Sequence, residues 1–440
     1  MVLDAVGSNP ITRPTFHTTT LIMTKTVSKN KTITFGCRLN IYESQVMQNL
    51  ADQAGRQDTI IVNTCAVTAE AERKAVQSIR KLNRTDPEKT IIVTGCAAQI
   101  NPDKFLALEG VSQVLGNQDK MKLESFMQTD RKIVSDIMQV KETATHMVDI
   151  FDDKTRAFIE IQNGCNHRCT FCKIPYGRGN SRSVPLGAIV EQIQHLVEKG
   201  VQEVVFTGVD ITSYGEDLPH EATLARLIRR VLVNVPALKR LRLSSIDPVE
   251  FDDGLFALFG SEKRLLPHVH ISLQAGDDMI LRRMKRRHLR EDVIAFCKRM
   301  RSLRPEVVFG CDIIAGFPTE TEDMFQNSLD LIETCNISFL HVFPYSARPD
   351  TPAARMPQVE KKMIKDRAKR LRDLGVQQIK KLYRTLQNLE TEILIEKDHT
   401  GRTLHFCPTL PDQKLAPGTI VPVRITGHTD THLTAEVIST

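Results

Sequence analysis

Short apolar runs alternate with amphipathic stretches along most of the chain, and their two periodicities divide it into three parts. Residues 31–37, 58–65 and 89–96 are β-branched runs bounded by turn residues, which predicts strands. Between the last two, Ala71, Ala75, Ile79 and Leu82 recur at helical spacing. Strand and helix in this rhythm predict a doubly wound parallel sheet over residues 31–150. Residues 130–153 are mixed in pattern and predict a linker or a closing strand of that unit.

The same alternation returns at larger scale from Thr155, with strand-like runs at 157–164, 203–208, 240–245, 268–274, 307–317 and 338–346. Between the first two, Ile189, Val190, Ile193, Leu196 and Val197 share one helical face that stops at Gly200. Six such units predict a partial (β/α)6 barrel over residues 151–358, with chemistry at the C-terminal ends of its strands. Residues 359–390 form a basic helical linker. Residues 391–440 alternate in short runs with turns at Gly401, Pro417, Gly418 and Gly427, which predicts a small β-barrel. Residues 1–30 read as an extension without the apolar stretch of a secretory signal. The fold class expected is therefore α/β with a small C-terminal β-barrel.

Composition narrows the class only a little. The 440 residues are 41% hydrophobic and lack a run of about 18 apolar residues, so no membrane span is expected. A cytoplasmic protein with no membrane partner follows as the expectation. The net charge of +6, from 59 basic and 53 acidic side chains, says little by itself. Trp is absent and aromatics are 5% of the chain, so an RNA partner would be held by charge and shape rather than by base stacking. Two basic stretches, residues 281–290 and 361–384, are candidates for that contact, although a solvated helix face explains most such runs.

Ten cysteines are too few for a disulfide scaffold, and reduced thiols invite metal or catalytic roles. Cys165, Cys169 and Cys172 fall within one loop directly after the first barrel strand. Three thiolates can converge on one metal centre and leave a coordination position open, as in an iron–sulfur cluster. A structural zinc site is the competing reading and wants a fourth ligand, for which His167 is the awkwardly placed candidate. Cys37, Cys65 and Cys96 each end a predicted strand, and parallel strands bring such ends to one edge. Cys297, Cys311, Cys335 and Cys407 show no partner spacing and read as core or surface thiols.

The spacing C-x3-C-x2-C, with Phe171 before the last cysteine and a partial barrel around it, resembles the radical S-adenosylmethionine (SAM) superfamily. The stretches TFGCRLN, NTCAVT, VTGCAAQ, IAGFPTETEDMF and HVFPYSARPDTPAA extend the resemblance over nearly the whole chain, to the methylthiotransferase branch. The resemblance implies a 4Fe–4S cluster on Cys165, Cys169 and Cys172 that cleaves SAM, with Phe171 near the adenine. It implies an auxiliary 4Fe–4S cluster on Cys37, Cys65 and Cys96 that delivers sulfur, and an RNA-binding TRAM module at the C-terminus. Within the branch, the chain is most similar to enzymes that methylthiolate N6-threonylcarbamoyladenosine at tRNA position 37. Branches acting on isopentenyladenosine, or on an aspartate of a ribosomal protein, fit less well, and a zinc-containing RNA-binding protein is the non-enzymatic alternative.

An adenine ring C–H bond is beyond any side-chain acid or base, so a radical cofactor suits the implied reaction. By position at strand ends, Gly208, Asp210, Ser244, Gln274 and Gly316 are candidates to hold SAM, although turn chemistry explains several of them as well. Arg178 and Arg182 follow the cysteine loop and are candidates to neutralise the SAM carboxylate or an RNA phosphate. The electron donor, the sulfur donor and the oligomeric state have no signature in the sequence.

Overall fold

The computed structural model describes residues 30–143 and 155–438. Most of the expected N-terminal extension, and the second half of the expected linker, lie outside the described residues. The first unit is a five-stranded, all-parallel sheet: β1 (Lys31–Thr34), β2 (Thr59–Thr64), β3 (Thr90–Gly95), β4 (Val111–Leu115) and β5 (Lys132–Ile133), neighbours in that order. Strand β5 falls where a closing strand was expected.

Helices cover both faces of this sheet, as double winding requires, although the strand order is sequential rather than reversed about β1. Helix α1 (Arg38–Gln53) packs Leu39, Met47 and Leu50 towards Ile61 and Ile92, while α2 (Ala69–Thr85) packs Ala71, Ala75, Ile79 and Leu82 towards Ile60, Val62 and Ile91. The alternation of Ile60, Ile61 and Val62 between the two cores is the period of two that a buried strand imposes. Thr68 caps α2 by accepting from the Ala71 amide, and Glu70 and Glu72 occupy its first turn, where the helix dipole favours acid.

The second unit carries β6 (Ala157–Glu160), the short antiparallel pair β7 (Gln162–Asn163) and β8 (Arg182–Ser183), then β9 (Glu203–Thr207), β10 (Arg240–Leu243), β11 (Ser245–Ile246), β12 (His268–Gln274), β13 (Val308–Ala315) and β14 (Ile337–Pro344). The six long strands are parallel in the order β6-β9-β10 and β12-β13-β14, with β11 pairing onto β12. This is the six-stranded partial barrel read from the sequence. Helix α1 packs along β6, so the first unit lies against the barrel's first strand.

Helix Lys361–Thr385 runs from the barrel to a closed β-barrel of β15 (Glu390–Ile395), β16 (Gly401–Thr403), β17 (Pro408–Pro411), β18 (Ile420–His428) and β19 (Leu433–Val437). This small barrel shares a core with the helix and with Val308 and Phe339 of the larger one. From its β16–β17 turn, Phe406 reaches the larger barrel: its ring lies 4.8 Å from the Arg242 guanidinium, 5.3 Å from that of Arg156 and 5.3 Å from the His268 ring. No helix among the described residues is long and apolar enough to cross a membrane.

Candidate active site

The Cys165–Cys172 loop leaves β7 and is pinned at both ends and in its middle. The Cys165 amide donates to Gly179 O at 3.1 Å, and Thr170 donates from its amide to Met284 O and from its hydroxyl to Arg283 O. Around the thiols, the Ile174 amide donates to Cys172 Sγ at 3.4 Å and Arg286 Nη1 to Cys169 Sγ at 3.7 Å. Burial pushes the Cys165 and Cys172 thiols up to about 12, and the Asp210 carboxylate adds to the effect at Cys165. His167 turns Nε2 towards Asp210 at 3.0 Å and Glu250 at 3.2 Å, and these two carboxylates raise the imidazole to about 10. A histidine committed to two carboxylates is a poor fourth ligand, which argues against the zinc alternative.

The second triad gathers at the C-terminal edge of the first sheet. Cys37 is the N-cap of α1, Cys65 follows β2, and Cys96 follows β3 as the first residue of α3 (Cys96–Ile100). Gly36 makes the approach possible: its φ is +109°, and a Cβ there would lie 3.0 Å from Cys65 Cβ. Asn40 Oδ1 lies 3.7 Å from Cys37 Sγ, the Val67 amide donates to Cys65 Sγ at 3.5 Å, and Asn117 Nδ2 donates to Cys96 Sγ at 3.6 Å. Burial pushes Cys37 up and Cys65 to about 12, and the nearby Cys96 thiol adds to both.

The two triads meet at helix Ile174–Arg178. It begins two residues after Cys172, and Gly177 packs so closely on Cys96 that a Cβ would sit 3.0 Å from Cys96 Cβ. Asn117 donates to Gly177 O and to Cys96 Sγ together. At the helix end the buried Arg178 donates to Asn40 Oδ1 at 2.5 Å and to Glu43 Oε1 at 2.9 Å, while Lys120 Nζ meets Glu43 Oε2 at 2.6 Å. Arg178 therefore ties the cysteine loop of the barrel to α1 of the first unit, a role its sequence position did not reveal.

The strand-end candidates for SAM lie where expected, in varied states. The buried Ser244 hydroxyl has no hydrogen-bond partner among the described residues. Gln274 holds a left-handed φ of +69° at an irregularity in the β12–β13 pairing, a strained conformation typical of functional sites. The Gly208 position abuts Gln162 O, and the neighbouring Asp210 amide donates to Gln162 Oε1 at 2.9 Å. Gly316 has another explanation: a Cβ there would lie 2.6 Å from Ile364 Cγ1, and its amide donates to Glu320. Phe171 meets the Phe317 ring edge-on at 6.3 Å, near Phe343 and Tyr345. Arg182 spends Nη1 on the carbonyls of Arg178 and Asn180.

In the basic run 281–290, Arg282 and Lys285 stay exposed, while four other cations have partners within the protein. Arg283 bonds Thr319, Arg286 bonds Asp247 and Ser272 O, Arg287 pairs with Glu250, and Arg290 bonds Gly276 O and Asn327 O. These partners brace the cysteine loop. Helix Lys361–Thr385 does keep Lys361, Lys362, Lys365, Lys381 and Arg384 exposed. Cys297, Cys311, Cys335 and Cys407 are all buried, as core thiols.

The donor sets suit iron–sulfur clusters: each triad supplies three unbridged thiols, held by amide, amidic or guanidinium groups. Residues 159–332 match the Radical SAM superfamily, and residues 29–116 match the Uncharacterized protein family UPF0004. A protein of Rickettsia prowazekii named threonylcarbamoyladenosine tRNA methylthiotransferase MtaB is 53% identical, covering 91% of this chain and 95% of its own. A Bacillus subtilis protein of the same name is 35% identical over 83% of this chain and 84% of its own. A Ruegeria protein named tRNA-2-methylthio-N(6)-dimethylallyladenosine synthase is 32% identical over 83% and 87%. Among solved structures, the radical SAM methyltransferase TsrM of Kitasatospora setae gives a TM-score of 0.51 at 16% identity, over 73% of this chain and 71% of that one, a likeness of fold.

Proposed function

The chain belongs to the radical SAM tRNA methylthiotransferases, in the branch named for threonylcarbamoyladenosine, and from this membership we propose how its residues perform the reaction. It is an enzyme that converts N6-threonylcarbamoyladenosine in tRNA to the 2-methylthio derivative, using SAM and two 4Fe–4S clusters. The 53% identity to a protein of that name, against 32% to a dimethylallyladenosine enzyme, favours this substrate over the isopentenyl one.

Cys165, Cys169 and Cys172 would hold one cluster, and Cys37, Cys65 and Cys96 the other. When bound, the first supplies the electron that splits SAM and the second the sulfur that replaces hydrogen on the adenine. The protein's own part is placement. Helix Ile174–Arg178 fixes the distance between the triads through Gly177 and Cys96, while Asn40 and Asn117 orient the Cys37 and Cys96 thiols. Arg286 sets a positive charge beside Cys169 and is itself held by Asp247. Ser244 and Gln274 would offer polar groups for SAM, and Phe171, edge-on to Phe317 beside the cysteine loop, would lie near its adenine.

The observation that carries this reading is the meeting of two cysteine triads at one helix. The exposed cations of helix Lys361–Thr385 and the terminal barrel would hold the tRNA, whose handling is the work of the cytoplasm. Mass analysis of tRNA nucleosides from cells lacking the gene tests the reading. The 2-methylthio derivative should vanish while threonylcarbamoyladenosine accumulates; an unchanged nucleoside profile would refute it.

A further inference from the structure

Several guanidinium groups gather around Phe406 and Glu203. Among the described residues all are paired except one. Arg156 meets Glu203 and Glu396, Arg240 meets Glu203 and Glu392, and Arg242 meets Glu203 and Leu404 O. Arg38, the first residue of α1, makes no hydrogen bond or ion pair among the described residues; its one aromatic contact is the Phe406 ring, 5.6 Å away. The side chain is half-buried, enclosed by protein and still reached by solvent, as a residue lining a cleft would be. Five N–H donors in such a place want acceptors.

Charges of both signs surround Arg38. Arg156 and Arg242 stand near it, as do the carboxylates of Asp312 and Glu203, and Glu203 and Glu396 are taken up by Arg156, Arg240 and Arg242. Asp312 is already engaged by His270 Nε2 at 3.0 Å and His341 Nδ1 at 3.2 Å. Both imidazoles engage the same oxygen of that carboxylate. Among the described residues Arg38 alone of these cations has no acceptor, and its place suits one further anion.

Arg38 also follows Cys37 directly. In adenine, C2 and the N6 substituent flank N1 on one edge of the ring. Whatever reads the N6 substituent must therefore lie close to the group that delivers sulfur to C2. A threonylcarbamoyl group ends in a carboxylate, whereas an isopentenyl group is apolar, and arginine binds carboxylates through two parallel bonds.

We propose that Arg38 receives the carboxylate of the threonylcarbamoyl group and so selects this tRNA nucleoside over its apolar counterpart. The inference rests on the functional reading above and on Cys37 as a cluster ligand. It assigns a specificity role to a residue that takes no part in radical generation.

The test uses the full-length, reconstituted protein and four anticodon stem-loop RNAs. One carries threonylcarbamoyladenosine, one its methyl ester, one isopentenyladenosine, and one unmodified adenosine. The wild type should bind the acid about tenfold or more tighter than the ester, the range expected for a hydrogen bond between charged groups. Arg38→Met should bind acid and ester alike, Arg38→Lys should recover much of the preference, and iron content should match the parent in both. Since the ester retains every phosphate, this comparison separates the threonyl carboxylate from the RNA backbone. SAM affinity should be unchanged in Arg38→Met; a loss there would assign Arg38 to the SAM carboxylate and overturn the proposal. Equal binding of acid and ester by the wild type would overturn it without need of any variant. If the wild type methylthiolated only isopentenyladenosine tRNA, the functional reading itself would fall; product on threonylcarbamoyl tRNA without acid–ester discrimination would sink this inference alone.

Discussion

Arg178 Nη1 lies 2.9 Å from Glu43 Oε1, and both side chains are buried where the cysteine loop of the barrel meets the first unit. Lys120 completes the group from the other side of the same carboxylate. Burial alone would raise Glu43, yet Arg178 and Lys120 hold it down at about 2. The neighbouring Glu160, buried and beside Glu43, is pushed up to about 7. Such a network joins two units only while all its members are present.

Removing one partner should therefore strand a buried charge. Arg178→Met is expected to cost about 3–5 kcal/mol in urea unfolding, the range for breaking a buried ion pair. Combined with Glu43→Gln the losses should be less than additive, because the second substitution finds the Arg178–Glu43 pair already broken, although it leaves the buried Lys120 without its carboxylate. Additive losses in the double variant would mean that the two residues do not act as a pair.

Docking of the terminal barrel should depend on pH through His405. Burial lowers this imidazole from 6.5 to about 4, more than the nearby Glu306 offsets. With the folded value below the unfolded one, the unfolded chain takes up the proton first as pH falls. Stability is thus full above about pH 6.5 and declines towards pH 4, by about 2 kcal/mol at pH 5 if His405 acts alone. Urea midpoints at pH 7 and pH 5 for the parent and His405→Gln check this: the variant should show a smaller difference, and an identical one would exclude His405.

The terminal barrel is not a detachable appendage. Val308, Phe339, Ile379 and Tyr383 share its core, and Phe406 packs among the arginines of the larger barrel. Deleting residues 390–440 should uncover this apolar surface and lower the melting temperature of the remainder, or send it into aggregates. A truncated protein melting at the parent temperature would show that the shared core contributes nothing. Effects of this module on tRNA affinity are better measured with substitutions on its exposed face.

Much of this was legible in the sequence, because strand ends are read from local pattern. Cys65 and Cys96 follow their strands directly, Cys37 ends the loop after β1, and the parallel sheet gathers all three. Long-range polar pairing was not legible. Arg178 lies far along the chain from Glu43, and in the basic run at 281–290 Arg283, Arg286 and Arg287 find partners at Thr319, Asp247 and Glu250, so part of a run of like charge serves as internal braces. Gly316 suited a ligand loop by position, and the close approach of Ile364, which local pattern does not show, gives that glycine a packing role. The aim of Phe406 at Arg242 and His268 depends on docking between units, which no local periodicity encodes.

The most direct test of the two-centre account is the variant with Cys37, Cys65 and Cys96 all changed to Ala, reconstituted anaerobically beside the parent. Loss of one cluster of two predicts about half the parent's iron and sulfide. The variant should still cleave SAM and form no methylthio product on tRNA carrying threonylcarbamoyladenosine. Full iron content together with undiminished methylthiolation would contradict the account.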